Sequence, residues 1–229
     1  MDINGSVAVV TGASGGLGRE FVRQLLDRGA AKVYAGARRE VDWDDARVVP
    51  LLLDVTDEEQ VRAAVDVASD VTLLVNNAGA TGPRSLLEAP MDEIRATFET
   101  NVFGPLALVR GFAPALAKAG GGAVLDVHSV LSWLATPGAY SPSKAAFWGL
   151  TNSVRLELAG QGTQVLGAHL GYTDTPMTAA LDVAKGDPAD VVARILDDLA
   201  AGEDESQADE TARTVRAALS TLTTGRFTS

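Results

Sequence analysis

Residues 11–18 read Thr-Gly-Ala-Ser-Gly-Gly-Leu-Gly, and they follow the apolar run Val7–Val10. Gly12, Gly16 and Gly18 stand where that predicted strand must turn into the helical pattern Leu17–Asp27, in which Phe21 and Leu25 recur at one-turn spacing. Glycine lets the backbone turn sharply and lets a charged ligand come close to the main chain. The helix start then offers free N–H groups and a partial positive charge, which suits a pyrophosphate. A strand, a glycine turn and a helix in that order point to a dinucleotide loop, with Ser14 and Leu17 also contributing contacts.

Outward from this loop, short apolar runs alternate with longer helical patterns. Further strands are expected at Lys32–Gly36, Val48–Leu52, Leu73–Val75, Ala123–Val127 and Val165–Leu170. Helices are expected at Asp57–Ala68, capped by Thr56 or Asp57, and at Pro90–Lys118, Pro142–Ala159, Pro188–Ala200 and Asp209–Leu219. Strands apolar throughout are buried on both faces, and their alternation with helices implies a parallel sheet with right-handed crossovers. The link from Gly36 to Val48 is too short for a full helix and is expected to be a loop or single turn. Gly202–Ser206, Gly-Glu-Asp-Glu-Ser, reads as an acidic surface turn.

The 229 residues fit one α/β domain spanning 1–229, with 46% apolar residues for a core. A net charge of −11 argues against nucleic acid and anionic membranes as partners. There is no cysteine, and there are only two histidines, His128 and His169, so no metal is expected. Asp174, ahead of Thr175-Pro176, reads as a turn residue rather than a ligand. The start of the chain lacks a signal-peptide pattern, and no apolar run is long enough to span a bilayer, so a cytoplasmic location is expected.

The spacing T-G-x-x-x-G-x-G at Thr11–Gly18 resembles the short-chain dehydrogenase/reductase family, and further matches follow in order. Leu53-Asp54-Val55 is similar to the family's adenine-contacting segment. Asn76-Asn77-Ala78-Gly79 is similar to its N-N-A-G motif. Ser129, Tyr140 and Lys144 resemble its Ser…Tyr-x-x-x-Lys signature, and Asn101 stands where the family has a catalytic Asn. Gly171, Thr173 and Thr175 fall in its nicotinamide-contacting loop. The resemblance covers roughly residues 5–200. It implies a single doubly wound Rossmann-fold domain with a central parallel sheet of about seven strands.

The end of the second strand reads Ala35-Gly36-Ala37-Arg38-Arg39. A carboxylate there would bind a ribose 2′-hydroxyl, whereas guanidinium groups match a 2′-phosphate. NADP(H) is therefore the expected cofactor, held at the phosphate by Arg38 and Arg39.

Tyr140 and Lys144 are four apart and share one helix face. A nearby ammonium, together with the cationic oxidised nicotinamide, should favour the phenolate and bring Tyr140 toward a pKa useful near neutrality. Tyr140 would then pass a proton to or from a carbonyl oxygen while Ser129 donates a hydrogen bond to the developing alkoxide. The resemblance gives Lys144 a second task at the nicotinamide ribose and has Asn101 hold a water that links Lys144 to solvent. Ser129 precedes Tyr140 by eleven residues, a couple fewer than is usual in the family, and Ser132 is its rival. His128 should point away from Ser129 by strand alternation and lie packed and hydrogen-bonded.

The expected activity is carbonyl–alcohol interconversion by an NADP-dependent carbonyl reductase or alcohol dehydrogenase. The competing reading is a non-catalytic NADP-binding regulator on the same fold. Leu131, Trp133 and Leu134, with Tyr172 and Met177, are expected to wall the substrate pocket. They suit a small neutral apolar carbonyl or alcohol. Apolar residues beyond the core-facing stripes of two helices, among them Phe103, Leu106, Phe147, Trp148 and Leu150, fit a homodimer or homotetramer, as is common in the family. Gly104 and Pro105 signal a close approach or a kink.

Overall fold

Hydrophobic residues fill both faces of a seven-stranded sheet in a computed structural model that describes residues 1–219. Residues 220–229 of the expected 1–229 domain lie outside the described residues. The strands are β1 (Val7–Thr11), β2 (Lys32–Ala37), β3 (Val48–Leu52), β4 (Leu73–Asn76), β5 (Ala123–Val127), β6 (Gln164–His169) and β7 (Glu205–Gln207). Their order is β3-β2-β1-β4-β5-β6-β7, and every pair is parallel. The helices are α1 (Gly16–Asp27), α2 (Glu58–Val67), α3 (Met91–Phe98), α4 (Gly104–Lys118), α5 (Tyr140–Leu158), α6 (Pro188–Ala201) and α7 (Glu210–Ala218). This is a doubly wound α/β domain.

The core divides along the sheet. On one face Phe21, Val22 and Leu25 of α1 and Ile195, Leu196 and Leu199 of α6 pack against β1, β4 and β5. On the other, Leu108, Phe112 and Leu116 of α4 and Val154 and Leu158 of α5 pack with Val61 of α2. Asp57 is the cap of α2: its carboxylate accepts from the N–H groups of Glu59 and Gln60, worth about 1 kcal/mol. Pro50 sits in β3, an edge strand, where its missing N–H does least harm. The short link between β2 and β3 contains no helix, as expected.

Two expectations need correction. The Gly202–Ser206 segment is not simply a turn, because Glu205–Gln207 form the seventh strand. Its polar side chains are answered inside the fold: the buried Ser206 Oγ donates to Asp198 at 2.7 Å, and Glu205 takes the Trp148 indole N–H at 2.9 Å. With no apolar alternation, nothing in the sequence marks it as a strand.

Pro90–Lys118 is likewise not one helix. It divides into α3, a π-helical turn at Glu99–Phe103, and α4. Pro105 has no N–H, so the carbonyl four residues earlier, at Asn101, loses its α-helical donor. Gly104 instead donates back to Glu99. Gly104 is also a close approach, since a Cβ there would stand 2.8 Å from the Val55 backbone oxygen.

The strand order reverses between β1 and β4. Ligands of open α/β sheets lie at such a switch point, beyond the carboxyl ends of the strands. The glycine loop leaves β1 there and Asn77-Ala78-Gly79 leaves β4 beside it.

Candidate active site

The glycine loop is held from beneath by its neighbours. Thr11 Oγ1 accepts from the N–H groups of Asn77 and Ala78, each at 3.0 Å. The Asn77 amide donates to the Thr11 carbonyl at 2.8 Å. Gly12 takes φ +65°, and a Cβ at Gly18 would lie 2.1 Å from the Gly12 oxygen. The start of α1 therefore runs directly against the loop, leaving its N-terminal N–H groups facing out. Asn77, expected at the cofactor, has its side chain committed to the loop. Leu17 packs against the core, so only its backbone is free to serve a ligand.

A groove of about 950 Å³ opens above this junction. It is lined by Gly12, Ser14, Arg38, Asp54, Val55, Ala78 and Gly79, all expected from the sequence. Leu53, of the expected adenine segment, lines it too, as do Thr56, Glu99 and Thr100, to which no motif pointed. Asp54 is held in a tight turn by accepting from the Thr56 N–H and hydroxyl at 3.0 and 2.8 Å. Arg38 and Arg39 are exposed and pair with no carboxylate among the described residues. After β6 the chain crosses the loop: Thr175 and Pro176 stand within 3.3–3.6 Å of where a Gly16 Cβ would be. The Thr173 hydroxyl is buried with no hydrogen-bond partner among the described residues. Gly171 faces α7 instead, donating its N–H to Asp209 at 2.7 Å. A groove that runs past the glycine loop and the start of α1 and holds the unpaired Arg38 fits a dinucleotide bearing an extra phosphate.

Tyr140 is the first residue of α5, two residues ahead of the helix start read from the sequence. Its place is fixed from both sides. The loop after β4 latches the helix start: the Ala139 N–H donates to the Pro83 carbonyl at 3.0 Å. Gly138, at φ +100°, lies where a Cβ would meet that same oxygen at 2.4 Å. On the other side the Ser141 hydroxyl lies 2.6 Å from the Leu134 carbonyl and 3.0 Å from that of Leu131. These bonds fold the short Ser129–Tyr140 connection back, and the Ser129 hydroxyl meets the Tyr140 phenol. Ser132 points elsewhere, with its hydroxyl 2.6 Å from the Ser129 carbonyl and 2.9 Å from His169 Nδ1.

Lys144 is buried, and its ammonium donates to the Val127 carbonyl at 2.8 Å. Burial pushes it down to about 8, with Asp126 pulling the other way. Asn101, in the π-helical turn, exchanges hydrogen bonds with the Ala80 backbone and donates to Ser143 Oγ at 2.9 Å. A Cβ on Gly79 would be 3.5 Å from Asn101 Oδ1 and 3.8 Å from Lys144 Nζ, so Gly79 lies between the two. Asn101 and Lys144 thus stand behind Gly79 and Ala80, which line the groove, with Tyr140 and Ser129 beside Lys144.

The protein's own groups do not by themselves favour the phenolate; the expectation also counted on the cationic nicotinamide. Tyr140 is pushed up to about 12 by burial, against the pull of Ser129 and with a further push from Tyr172. Lys144 does not lower it, because the ammonium is turned to the Val127 carbonyl and its Nζ lies 5.9 Å from the centre of the Tyr140 ring. His128 is packed edge-on against Phe147 as expected, but neither ring nitrogen has a hydrogen-bond partner among the described residues. The Phe147 ring and the bare Gly167 backbone surround it with carbon.

The expected pocket wall is only partly assembled. Met177 lines the groove, and Tyr172 is half exposed near Tyr140. Trp133 is not there: it is buried, stacked on His169 at 3.9 Å beneath Arg216. Leu131 and Leu134 pack with it against Ala212 and Val215 of α7. Sequence adjacency to Ser129 does not bring these three to the groove, because the 3₁₀ turn Val130–Ser132 directs the chain toward α7.

The chain is similar to known proteins. A family model described as short chain dehydrogenase matches residues 6–186. A 3-oxoacyl-acyl-carrier-protein reductase of Vibrio cholerae is 32% identical over 193 residues, 80% of this chain and 79% of that protein. A 1-deoxy-11-beta-hydroxypentalenate dehydrogenase of Streptomyces exfoliatus is 32% identical over 203 residues, 81% of this chain and 74% of that one. A short chain dehydrogenase from Burkholderia cenocepacia, solved in complex with NADP, superposes with a TM-score of 0.91 at 40% identity, covering 96% of this chain and 94% of its own. Matched over most of its length by that family model and by relatives of this similarity, the chain belongs to the short-chain dehydrogenase family.

Proposed function

We propose that the protein is an NADP-dependent oxidoreductase that interconverts a small ketone or aldehyde and the corresponding alcohol. One observation carries it: the Tyr140 phenol stands beside the Ser129 hydroxyl, and Lys144 and Asn101 lie behind Gly79, which lines a dinucleotide-sized groove that also holds unpaired Arg38. The NADP complex of the 40% identical relative supports the cofactor. Gly12, Ser14 and the start of α1 would hold the pyrophosphate, Arg38 and Arg39 the 2′-phosphate, and Thr173 the nicotinamide end.

When bound, NADPH supplies the hydride. Tyr140 does the proton work. Held protonated by burial, it donates to the carbonyl oxygen as negative charge develops there. Ser129 donates a second hydrogen bond to the same oxygen. Lys144 returns a proton toward Tyr140, and Asn101 with the Ala80 backbone forms the polar path to solvent. Tyr172 and Met177, both uncharged, border the place for the substrate, which favours a neutral apolar carbonyl over a keto acid.

Turnover of NADPH with a panel of ketones and aldehydes tests this reading. Tyr140→Phe should cost at least ~100-fold in kcat while cofactor binding survives. Ser129→Ala should cost similarly, and Ser132→Ala should mainly lower stability. A protein that binds NADPH, turns over no carbonyl and is indifferent to Tyr140→Phe would be a regulator instead.

A further inference from the structure

Three residues stand in register across the middle of the sheet: Asn76 on β4, Asp126 on β5 and Gly167 on β6. Asp126 is completely buried, yet it touches neither Tyr140 nor the groove. Its Oδ1 accepts from Asn76 Nδ2 at 2.8 Å and its Oδ2 from Thr151 Oγ1 at 2.6 Å. Thr151 belongs to the same buried stripe of α5 as Phe147 and Lys144. Lys144 in turn is seated on the carbonyl of Val127, the residue next to Asp126. Gly167 leaves the space: a Cβ there would come within 3.1 Å of the His128 ring and 3.7 Å of the Thr151 methyl.

A buried carboxylate and a buried ammonium are each costly alone and tolerable together when their remaining atoms are hydrogen-bonded. Here the carboxylate is held by Asn76 and Thr151 and the ammonium by the carbonyl of Val127, the next residue of β5, so the two charges are neighbours through the strand without a direct ion pair. We propose that Asp126 is a positioning residue for Lys144, the buried counter-charge that keeps the Lys144 ammonium protonated on the Val127 carbonyl. The consequence for turnover rests on the oxidoreductase reading above; the coupling of the two side chains does not.

Thr151 makes the acid adjustable. Its hydroxyl has one proton and two acceptors, Asp126 Oδ2 and the Phe147 carbonyl, the latter at 3.0 Å. With Asp126 ionised, Thr151 donates to it. With Asp126 protonated, the carboxyl donates to Thr151, and the hydroxyl proton turns to Phe147. A proton can thus be taken up with no movement of heavy atoms.

The surrounding groups leave Asp126 as the counter-ion. Burial, the largest influence, holds its carboxyl above the usual carboxylate range, and the bonds from Thr151 and Asn76 and the charges of Lys144 and Arg155 work against that rise. Burial holds His128 and His169 neutral, and it holds Tyr140 protonated. Arg155 is engaged with the Val165 carbonyl and Asn152.

The chain has four lysines, so the side-chain Cε signals of the full-length, cofactor-free protein can be followed by NMR across pH. Lys144 is assigned by the signal lost in Lys144→Met. Asp126→Asn removes the charge but can still accept from Asn76 and donate to Thr151. Its Lys144 midpoint should fall by about one pH unit. Thr151→Val, which strips one donor from the carboxylate, should move it the same way by less, and it decides the matter if Asp126→Asn does not fold. An unchanged Lys144 midpoint in the folded variants overturns the proposal. Where the midpoint falls, the alkaline limb of kcat for carbonyl reduction should fall with it. A shifted midpoint with an unmoved limb would uphold the coupling and refute the catalytic reading of Lys144.

Discussion

Gly18→Ala places a methyl group where the structure has no room. The new Cβ would lie 2.1 Å from the Gly12 oxygen and 2.7 Å from Asn77 Nδ2. A carbon–oxygen contact settles near 3.3 Å, so the shortfall is roughly 1.2 Å. Neither side yields cheaply. The Gly12 oxygen is backbone, Asn77 is the clamp of the loop, and α1 is anchored by buried Phe21, Val22 and Leu25. Overpacking of this kind costs about 1–3 kcal/mol, and the size of the overlap argues for the upper end. For a domain of this length, ~3 kcal/mol lowers Tm by roughly 6–12 °C. The α1 N-terminus moves with the helix, so at least one charge-assisted bond to a pyrophosphate should be lost, at about 1.5–3 kcal/mol, or at least ~10-fold in Kd. Thermal melts and NADPH fluorescence titration read the two effects. Gly15→Ala is the stability control: its backbone is extended at φ −173° and nothing lies within 4 Å of the new atom. A Gly18→Ala protein with wild-type Tm and Kd would refute the close approach. A lowered Tm with an unchanged Kd would leave the loop structural and remove the cofactor assignment.

Arg38→Ala should weaken NADPH binding at least ~10-fold and leave NADH nearly untouched, since one charge-assisted contact is worth about 1.5–3 kcal/mol; equal losses for both would mean the 2′-phosphate lies elsewhere. Stability should fall on acidification below pH 6.5. Burial drives His128 well down and His169 to about 3, so each stays neutral in the folded chain while the unfolded chain takes up a proton. The loss is about 1.4 kcal/mol per pH unit per histidine below 6.5, visible between pH 6.5 and 5 before most carboxylates titrate. A flat Tm over that window would contradict it. The protein should run as a dimer or tetramer by light scattering at micromolar concentration. The face concerned is narrower than the sequence implied: Phe103 and Leu156 are exposed, but Phe147 is core and Trp148 is tied to Glu205. A monomeric mass would dismiss that face as an interface.

Much was legible in the sequence because it is local. The glycine loop, the runs at β1, β4 and β5, and the four-residue step from Tyr140 to Lys144 depend on neighbours along the chain, where backbone freedom and periodicity speak directly. The cluster of Asn101, Ser129, Tyr140 and Lys144 was named from spacing and resemblance, and the fold brings the four to one place. Other features depend on who packs against whom. β7 is a strand because Asp198 and Arg216 of the flanking helices and the distant Trp148 answer its polar side chains, and the fold alone turns them toward it. Trp133 follows Ser129 closely yet leaves the site, since His169 and α7 offer it a better apolar contact. The proton affinity of Tyr140 was read from its neighbour on the helix, but burial governs it. Asp126 looks like one polar residue in an apolar strand. Only the register with Asn76 and the facing Thr151 make it a buried acid coupled to Lys144, because desolvation and long-range charge exist only once the chain has closed around them.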